Sequence, residues 1–512
     1  MKQAARDPES FLRTDHLEGQ LQGRALRGGM LTLLAQVIKF VLQLANMVVL
    51  ARLLSPHDFG LVGMVTSLVG FLTIFKDLGL SAATIQRPQI SHAQVSNLFW
   101  INAGFGLLLC LITLGLAQPL SHFYKEASIA PITRVLALGF LVSGLGVQHQ
   151  ALLRRQMRFA TVIRLDLIAL GASTLTAIVG AWAGQGPWAL VYAQLVLITL
   201  TTAGGWISCG WRPMRWSAQQ DNRSMLGLGG WLASFRVVSY WIQNLDNMLI
   251  GRRWGSEALG FYMRAYQLLV MPLSQINLPL GEVAVPMLSR LQDNPIDYRL
   301  AYGRVLQAVL WLTLPVIVVT VGAADWVIEV ALGRQWISAA EIFMWLGVMA
   351  FAEPIRYTTG YLFISQGRTR EMFYAELVSS FFLIAAIVAG VQQGPKQVAM
   401  YFALSSLFLR TPIVLCWAGR SELVRTSQIL GPSLMPMLSS LLALGAVLLL
   451  RRWSGAALLH PFLGCVLATL LCLGVFVSAM RLLPGGRQRF ADLRAIPQLM
   501  RRKAKSTTPN AP

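Results

Sequence analysis

The chain has 512 residues, of which 55% are hydrophobic and only 13% charged, with a mean hydropathy of +0.57. So little charge excludes a soluble globular protein of this length, which would need far more polar surface. The 43 basic against 22 acidic side chains, net +21, would suggest nucleic acid in a soluble chain, but here much of the excess sits in tails and in breaks between apolar segments, so no nucleic-acid partner is expected.

Residues 1–27 are polar and charged, without the short apolar core and small-residue cleavage site of a signal peptide, and read as a cytoplasmic tail. From residue 28 to residue 482, apolar stretches of about 20 residues follow one another, each long enough to cross the hydrocarbon core. The pattern predicts an all-α polytopic membrane protein of about fourteen transmembrane helices, centred near residues 40, 68, 105, 142, 171, 198, 238, 270, 311, 350, 381, 406, 442 and 469.

Arginines on alternate connections, among them Arg154, Arg155, Arg212, Arg215, Arg290, Arg368 and Arg420, place both termini in the cytoplasm, although Arg252, Arg253, Arg451 and Arg452 dissent. The predicted organisation is a tail at 1–27, transmembrane bundles at 28–215 and 225–418, two further helices within 432–482, and a basic cytoplasmic tail at 483–512. The five cysteines, Cys110, Cys209, Cys416, Cys465 and Cys472, lie in or beside apolar segments at no metal-ligand spacing, so neither a zinc site nor a disulfide framework is expected.

Shifting the chain by 200 residues superposes two segments. Ala51-Arg52-Leu53-Leu54 with Phe59-Gly60 falls on Gly251-Arg252-Arg253-Trp254 with Leu259-Gly260. Upstream, Gln36, Lys39, Gln43 and Asn46 fall on Arg236, Ser239, Gln243 and Asp246. Each set steps by three or four, which puts it on one face of a helix, so the first and seventh spans read as matching members of a duplicated unit. Arg264, Gln267, Ser274 and Gln275 extend the polar face to the eighth span.

A lysine facing lipid at mid-membrane costs on the order of 2.5 to 3.5 kcal/mol, so these stripes must meet a partner helix or water. Two readings stand: interhelical hydrogen bonds in a packed bundle, or the wall of an aqueous cavity between the two bundles. In the second, Lys39, Arg52, Arg236, Arg252 and Arg264, with the polar Gln36, Gln43 and Gln243, form a cationic surface opposed mainly by Asp77 and Asp246, and such a surface selects an anion, phosphate above all. Glu353, beside Pro354 and three residues before Arg356, reads either as one half of a structural ion pair or, with Asp77 and Asp246, as a coupling or gating group. Glu376 reads as a solvated end charge and His149 as interfacial.

No phosphate-binding loop, HExxH or GxSxG occurs, and the histidines are scattered. No catalytic residue, metal or cofactor is expected, and the chain is read as a transporter and not an enzyme. The rival readings are a drug or small-molecule exporter, a membrane-embedded polymerase or transferase, and a non-catalytic member of a synthesis complex.

The segment Ala51-Arg-Leu-Leu-Ser-Pro-His-Asp-Phe-Gly60, with Asp77-Leu-Gly-Leu-Ser81 and Ile85-Gln-Arg87, resembles the first spans of Wzx-type polysaccharide-repeat flippases. Asn244-Leu-Asp-Asn247, Leu249-Ile-Gly-Arg252, Leu259-Gly-Phe-Tyr262, Arg264-Ala-Tyr266 and Pro286-Met-Leu-Ser-Arg290 continue the likeness, nearest to the colanic-acid-exporter branch of the multidrug/oligosaccharidyl-lipid/polysaccharide exporter superfamily. His57 departs from it, since an acid is common there. The resemblance implies two six-helix bundles around a V-shaped central cavity with two extra C-terminal helices, in the bacterial inner membrane. It implies as cargo an undecaprenyl-pyrophosphate-linked oligosaccharide, moved by alternating access driven by an ion gradient. Membrane lipids, a polysaccharide polymerase and export machinery would be the further partners.

Overall fold

The structure, a computed structural model, describes residues 21–76, 80–87, 90–217, 223–453 and 460–482, with the backbone alone described at 21–34, 82, 83, 86, 223–239 and 242. Every regular element among the described residues is helical. In order these are α1 (Leu21–Leu53), α2 (Pro56–Thr73), α3 (Leu80–Gln86), α4 (His92–Tyr124), α5 (Ile129–Gly144), α6 (Val147–Arg155), α7 (Phe159–Trp182), α8 (Pro187–Cys209) and α9 (Arg223–Ser289). There follow α10 (Pro295–Gly322), α11 (Ala324–Ala331), α12 (Ala340–Ala350), α13 (Glu353–Ser365), α14 (Thr369–Val391), α15 (Pro395–Ser405), α16 (Thr411–Ala418), α17 (Thr426–Arg452) and α18 (Pro461–Leu482).

Eleven helices are long and apolar enough to cross a membrane, or thirteen when the bent pairs α5–α6 and α12–α13 each count as one span. The two spans expected near 238 and 270 are the two arms of α9, which Gly255 separates: its φ of 84° and ψ of −178° break the helical path. A positive φ of that kind costs glycine little and other residues more, so one glycine supplies a turn where no loop was needed.

Local chemistry explains the other boundaries. Ser55 caps α2: its hydroxyl accepts from the Asp58 N–H at 3.3 Å, while Asp58 Oδ2 accepts from the Ser55 N–H at 2.9 Å, and Pro56 opens the helix without wasting a donor. Ser91 and Gln94 form the same reciprocal cap on α4. Asn294 caps α10, again followed by proline.

The chain forms two compact units, residues 1–260 and 261–512. In the first, α4 packs on α5 and α7 on α8, while α1 lies against α7. A core of Leu80, Leu98, Phe99, Leu152, Cys209 and Trp211 seals one end of it. In the second, α10, α17 and α18 pack together, and α14 lies against α15 and α16. Large side chains such as Leu111, Leu175, Phe381, Leu449 and Leu470 stand exposed along these helices. Faces of that kind suit lipid better than water.

Candidate substrate and coupling sites

Gln36, Lys39, Gln43 and Asn46 occupy one face of α1, as their spacing required. Asp77 and Asp246 were expected to be the main acids opposing this surface, and the structure gives Lys39 another partner. Lys39 Nζ donates to Asp166 Oδ2 of α7 at 2.6 Å. Asp166 was not singled out from the sequence, yet it is the sole acid in α7, and a lone carboxylate within an apolar span was a signal available to find it.

The pair is not sealed, since Lys39 keeps 26% and Asp166 34% of side-chain surface open. Gln36 is half-buried and Gln43 exposed. Asn46 Oδ1 is buried with no hydrogen-bond partner in the structure. This face therefore combines an accessible ion pair with unspent amide capacity, which can accept a polar ligand without dismantling a packed core.

The α1–α2 turn meets the turn at Gly255. A Cβ added to Gly60 would lie 1.6 Å from the carbonyl oxygen of Ser256, and one added to Gly260 would lie 1.9 Å from that of Pro56. Under the 200-residue shift, 56 corresponds to 256 and 60 to 260, so each glycine rests on the other repeat's counterpart of its own neighbour. The close approach requires glycine at both places. His57 Nδ1 and Ser256 Oγ, 2.6 Å apart, add a hydrogen bond beside it.

Arg52, exposed, ends α1 ahead of this junction. Arg252, half-buried, precedes the opposing turn with its guanidinium 5.4 Å above the Phe123 ring. Asp246 is buried and Gln243 exposed on the same stretch of α9. Asp77 lies outside the described residues, as does the side chain of Arg236. Arg264 belongs to the second unit, where its Nη1 donates to Gln267 Oε1 at 2.6 Å.

The second unit holds a different arrangement. Arg356 grips Glu353 bidentately, Nε to Oε1 at 3.0 Å and Nη2 to Oε2 at 2.6 Å, so the i,i+3 pairing foreseen as one reading is formed. Glu376 is not a solvated end charge: it accepts from Arg410 Nη2, and Arg410 is buried. Arg410 closes a π-helical turn, Ser406–Arg410, between α15 and α16. One extra residue in a turn re-aims a side chain, and such turns recur at functional positions. Arg356 lies within electrostatic reach of Glu376 and Glu353 within reach of Arg410, so two acids and two bases form one neutral quartet.

His149 also departs from expectation. It is fully buried, stacked on Trp206 at 4.2 Å between ring centroids and edged by Phe99 and Trp211. Arg451, one of the dissenting arginines, donates through Nη1 at 2.5 Å and Nη2 at 2.7 Å to Asp325 and lies 4.4 Å over Trp326. Among the described residues no group of three or more His, Cys, Asp or Glu side chains could hold a metal ion.

A family described as "Polysaccharide biosynthesis protein" matches residues 49–341. The lipopolysaccharide biosynthesis protein WzxC of Escherichia coli (strain K12) is 24% identical over 378 residues, covering 73% of this chain and 76% of that protein. The teichuronic acid biosynthesis protein TuaB of Bacillus subtilis (strain 168) is 25% identical over 415 residues, covering 80% and 86%. Among solved structures, the lipid II flippase MurJ in an inward closed conformation aligns over 88% of this chain and 98% of its own, with a TM-score of 0.69 at 13% identity. At that identity the likeness shows a shared helical membrane fold.

Proposed function

The chain belongs to the polysaccharide biosynthesis protein family, and from that premise we propose that it is a flippase for undecaprenyl-pyrophosphate-linked oligosaccharide repeat units. It carries them across the bacterial inner membrane for exopolysaccharide or lipopolysaccharide synthesis, by an ion-coupled, alternating-access cycle. Relatives named for lipopolysaccharide and teichuronic acid biosynthesis, and the fold shared with a lipid II flippase, support the reading.

The observation that carries the chemistry is Lys39. An ammonium in the middle of an apolar span is paired with Asp166, yet both remain partly open. A pyrophosphate brings more negative charge than one carboxylate and can therefore draw Lys39 away from Asp166, with the exposed amide of Gln43 on the same helix face placed to bond sugar hydroxyls. Arg52, Arg236 and Arg252 add positive charge in the same unit, and Arg264 is a further candidate in the second. The lipid tail stays in the bilayer, because a wet site offers it nothing in exchange for its hydrocarbon surroundings. Asp77, Asp246 and Glu353 are the coupling or gating candidates. Both termini are cytoplasmic in this reading, and a polysaccharide polymerase with its export machinery would take up the product.

The test is leaflet-resolved measurement of lipid-linked repeat units in a deletion strain complemented with the wild-type chain or with Lys39→Gln. Accumulation in the cytoplasmic leaflet, relieved only by the wild type, is the expected result. Normal export with Lys39→Gln at normal abundance would remove Lys39 from the site. Drug sensitivity without accumulation would indicate a small-molecule exporter. New glycosidic bonds made by the purified protein would indicate a polymerase.

A further inference from the structure

The second unit contains a cavity of about 660 Å³ where the C-terminal ends of α10 and α17 meet the N-terminal end of α12, and no residue assigned to transport lines it. That volume falls within the range of about 300 to 1,000 Å³ usual for small-ligand sites. Its charged lining is Asp325, Glu341, Arg451 and Arg452. Three of the four are committed: Arg451 holds Asp325, and Glu341 is paired with Lys396 at 2.9 Å. Arg452 is exposed and makes no ion pair or hydrogen bond with any described residue. Among the described residues, one positive charge of the cavity is thus unanswered.

Its remaining wall is apolar, with Met344, Leu448 and Leu449 prominent. Leu449 is 69% exposed, and Leu441 and Leu442 continue an exposed apolar surface down α17. Arg452 ends this 27-residue helix, and the next residue, Trp453, is 62% exposed. Exposed tryptophan at the end of a spanning helix marks headgroup depth, and basic pockets between helices at that depth attract anionic headgroups. A soluble phosphate would satisfy Arg452 and leave the leucine surface unused. An amphiphile satisfies both.

We propose that this cavity seats the headgroup of a monoanionic phospholipid, with its phosphate on Arg452 and its acyl chains along Leu448, Leu449 and the α17 surface below. A guanidinium fork matches two phosphate oxygens. A zwitterionic lipid brings its own cation and competes poorly for a single positive charge.

The experiment uses the purified full-length chain in detergent, supplied with an equimolar mixture of phosphatidylglycerol and phosphatidylcholine, with bound lipids counted by native mass spectrometry. One arginine near a membrane surface is worth roughly 1 kcal/mol, so phosphatidylglycerol should be retained about fivefold over phosphatidylcholine. Arg452→Gln should bring the two to parity. Gly445→Leu should do the same by filling the cavity, because a Cβ at Gly445 meets nothing within 4 Å. Arg134→Gln, at an exposed arginine of α5 far in sequence from the cavity lining, should leave the preference intact. A preference that survives both Arg452→Gln and Gly445→Leu, or that falls equally with Arg134→Gln, overturns the proposal. So does displacement of the bound lipid by glycerol phosphate at the same concentration, which would make the site one for a soluble anion.

Discussion

In the first unit Lys39 and Asp166 keep 26% and 34% of their side-chain surface open, whereas in the second each pair has one deeply buried member: Arg410 keeps 8% against 27% for Glu376, and Glu353 12% against 26% for Arg356. Both units place opposite charges inside apolar helices, and both neutralise them. They differ in what neutralisation leaves available. A partly open pair is worth about 0 to 1 kcal/mol to the fold, so its members can change partners cheaply. A buried member of a balanced quartet cannot, because removing one charge leaves the remaining three unbalanced in a poorly solvated place. The contrast suits the first unit to recognition of a polar ligand and the second to holding a fixed electrostatic arrangement, which a bound ion or proton could bias only with a large change in free energy.

The sharpest way to break this contrast is at Arg410. Arg410→Gln removes the hydrogen-bonded partner of Glu376 and leaves the quartet one positive charge short, and is expected to destabilise the protein by about 3 kcal/mol, seen in thermal unfolding of the purified chain. The double variant Arg410→Gln, Glu376→Gln should recover most of the loss. If the single variant unfolds no earlier than the double, the second unit is no more committed than the first.

A smaller effect is expected in the first unit at Gly60. Gly60→Ala drives a methyl group into the Ser256 carbonyl and should cost about 1 to 3 kcal/mol, with reduced repeat-unit export. Gly104→Ala, in α4 with nothing within 4 Å of the new carbon, should have no such effect. Equal behaviour of the two alanine variants would mean that the junction yields freely.

The smallest change in stability is expected at Lys39, and there the comparison is sharpest in function. Lys39→Gln should alter the unfolding midpoint by an amount equivalent to no more than about 1 kcal/mol while abolishing export. Asp166→Asn should retain part of the export, since it frees the lysine. A large stability loss in Lys39→Gln, comparable to that at Arg410, would place both pairs in the same class.

What the sequence made legible was local or periodic. The Ser55-Pro56-His57-Asp58 cap, the polar stripe on α1, the i,i+3 pair of Glu353 with Arg356 and the 51–60 to 251–260 correspondence each depend on spacings of four residues or on a direct repeat. What stayed hidden depends on separations no pattern reports. Asp166 reaches Lys39 across 127 positions, and Asp325 reaches Arg451 across 126. The aromatic rings that enclose His149 come from residues 99, 206 and 211. Arg410 was invisible as a partner of Glu376 because it lies in a turn that abandons the 3.6-residue period on which helix-face reasoning rests. The two spans expected near 238 and 270 are parted at Gly255 by one residue's dihedral angles, a turn that hydropathy registers only as a brief polar break.

The reciprocal seating of Gly60 on Ser256 and of Gly260 on Pro56 has the pattern of a two-fold contact. A patch in which residue i touches j while the equivalent of i touches the equivalent of j is the self-complementary surface of a homodimer. Two identical half-length polypeptides meeting tip to tip would make this contact twice over, with a single glycine serving both sides. Within the one chain the two copies of the contact have different neighbours, Ser55-Pro56 against Gly255-Ser256, while glycine stands at both 60 and 260.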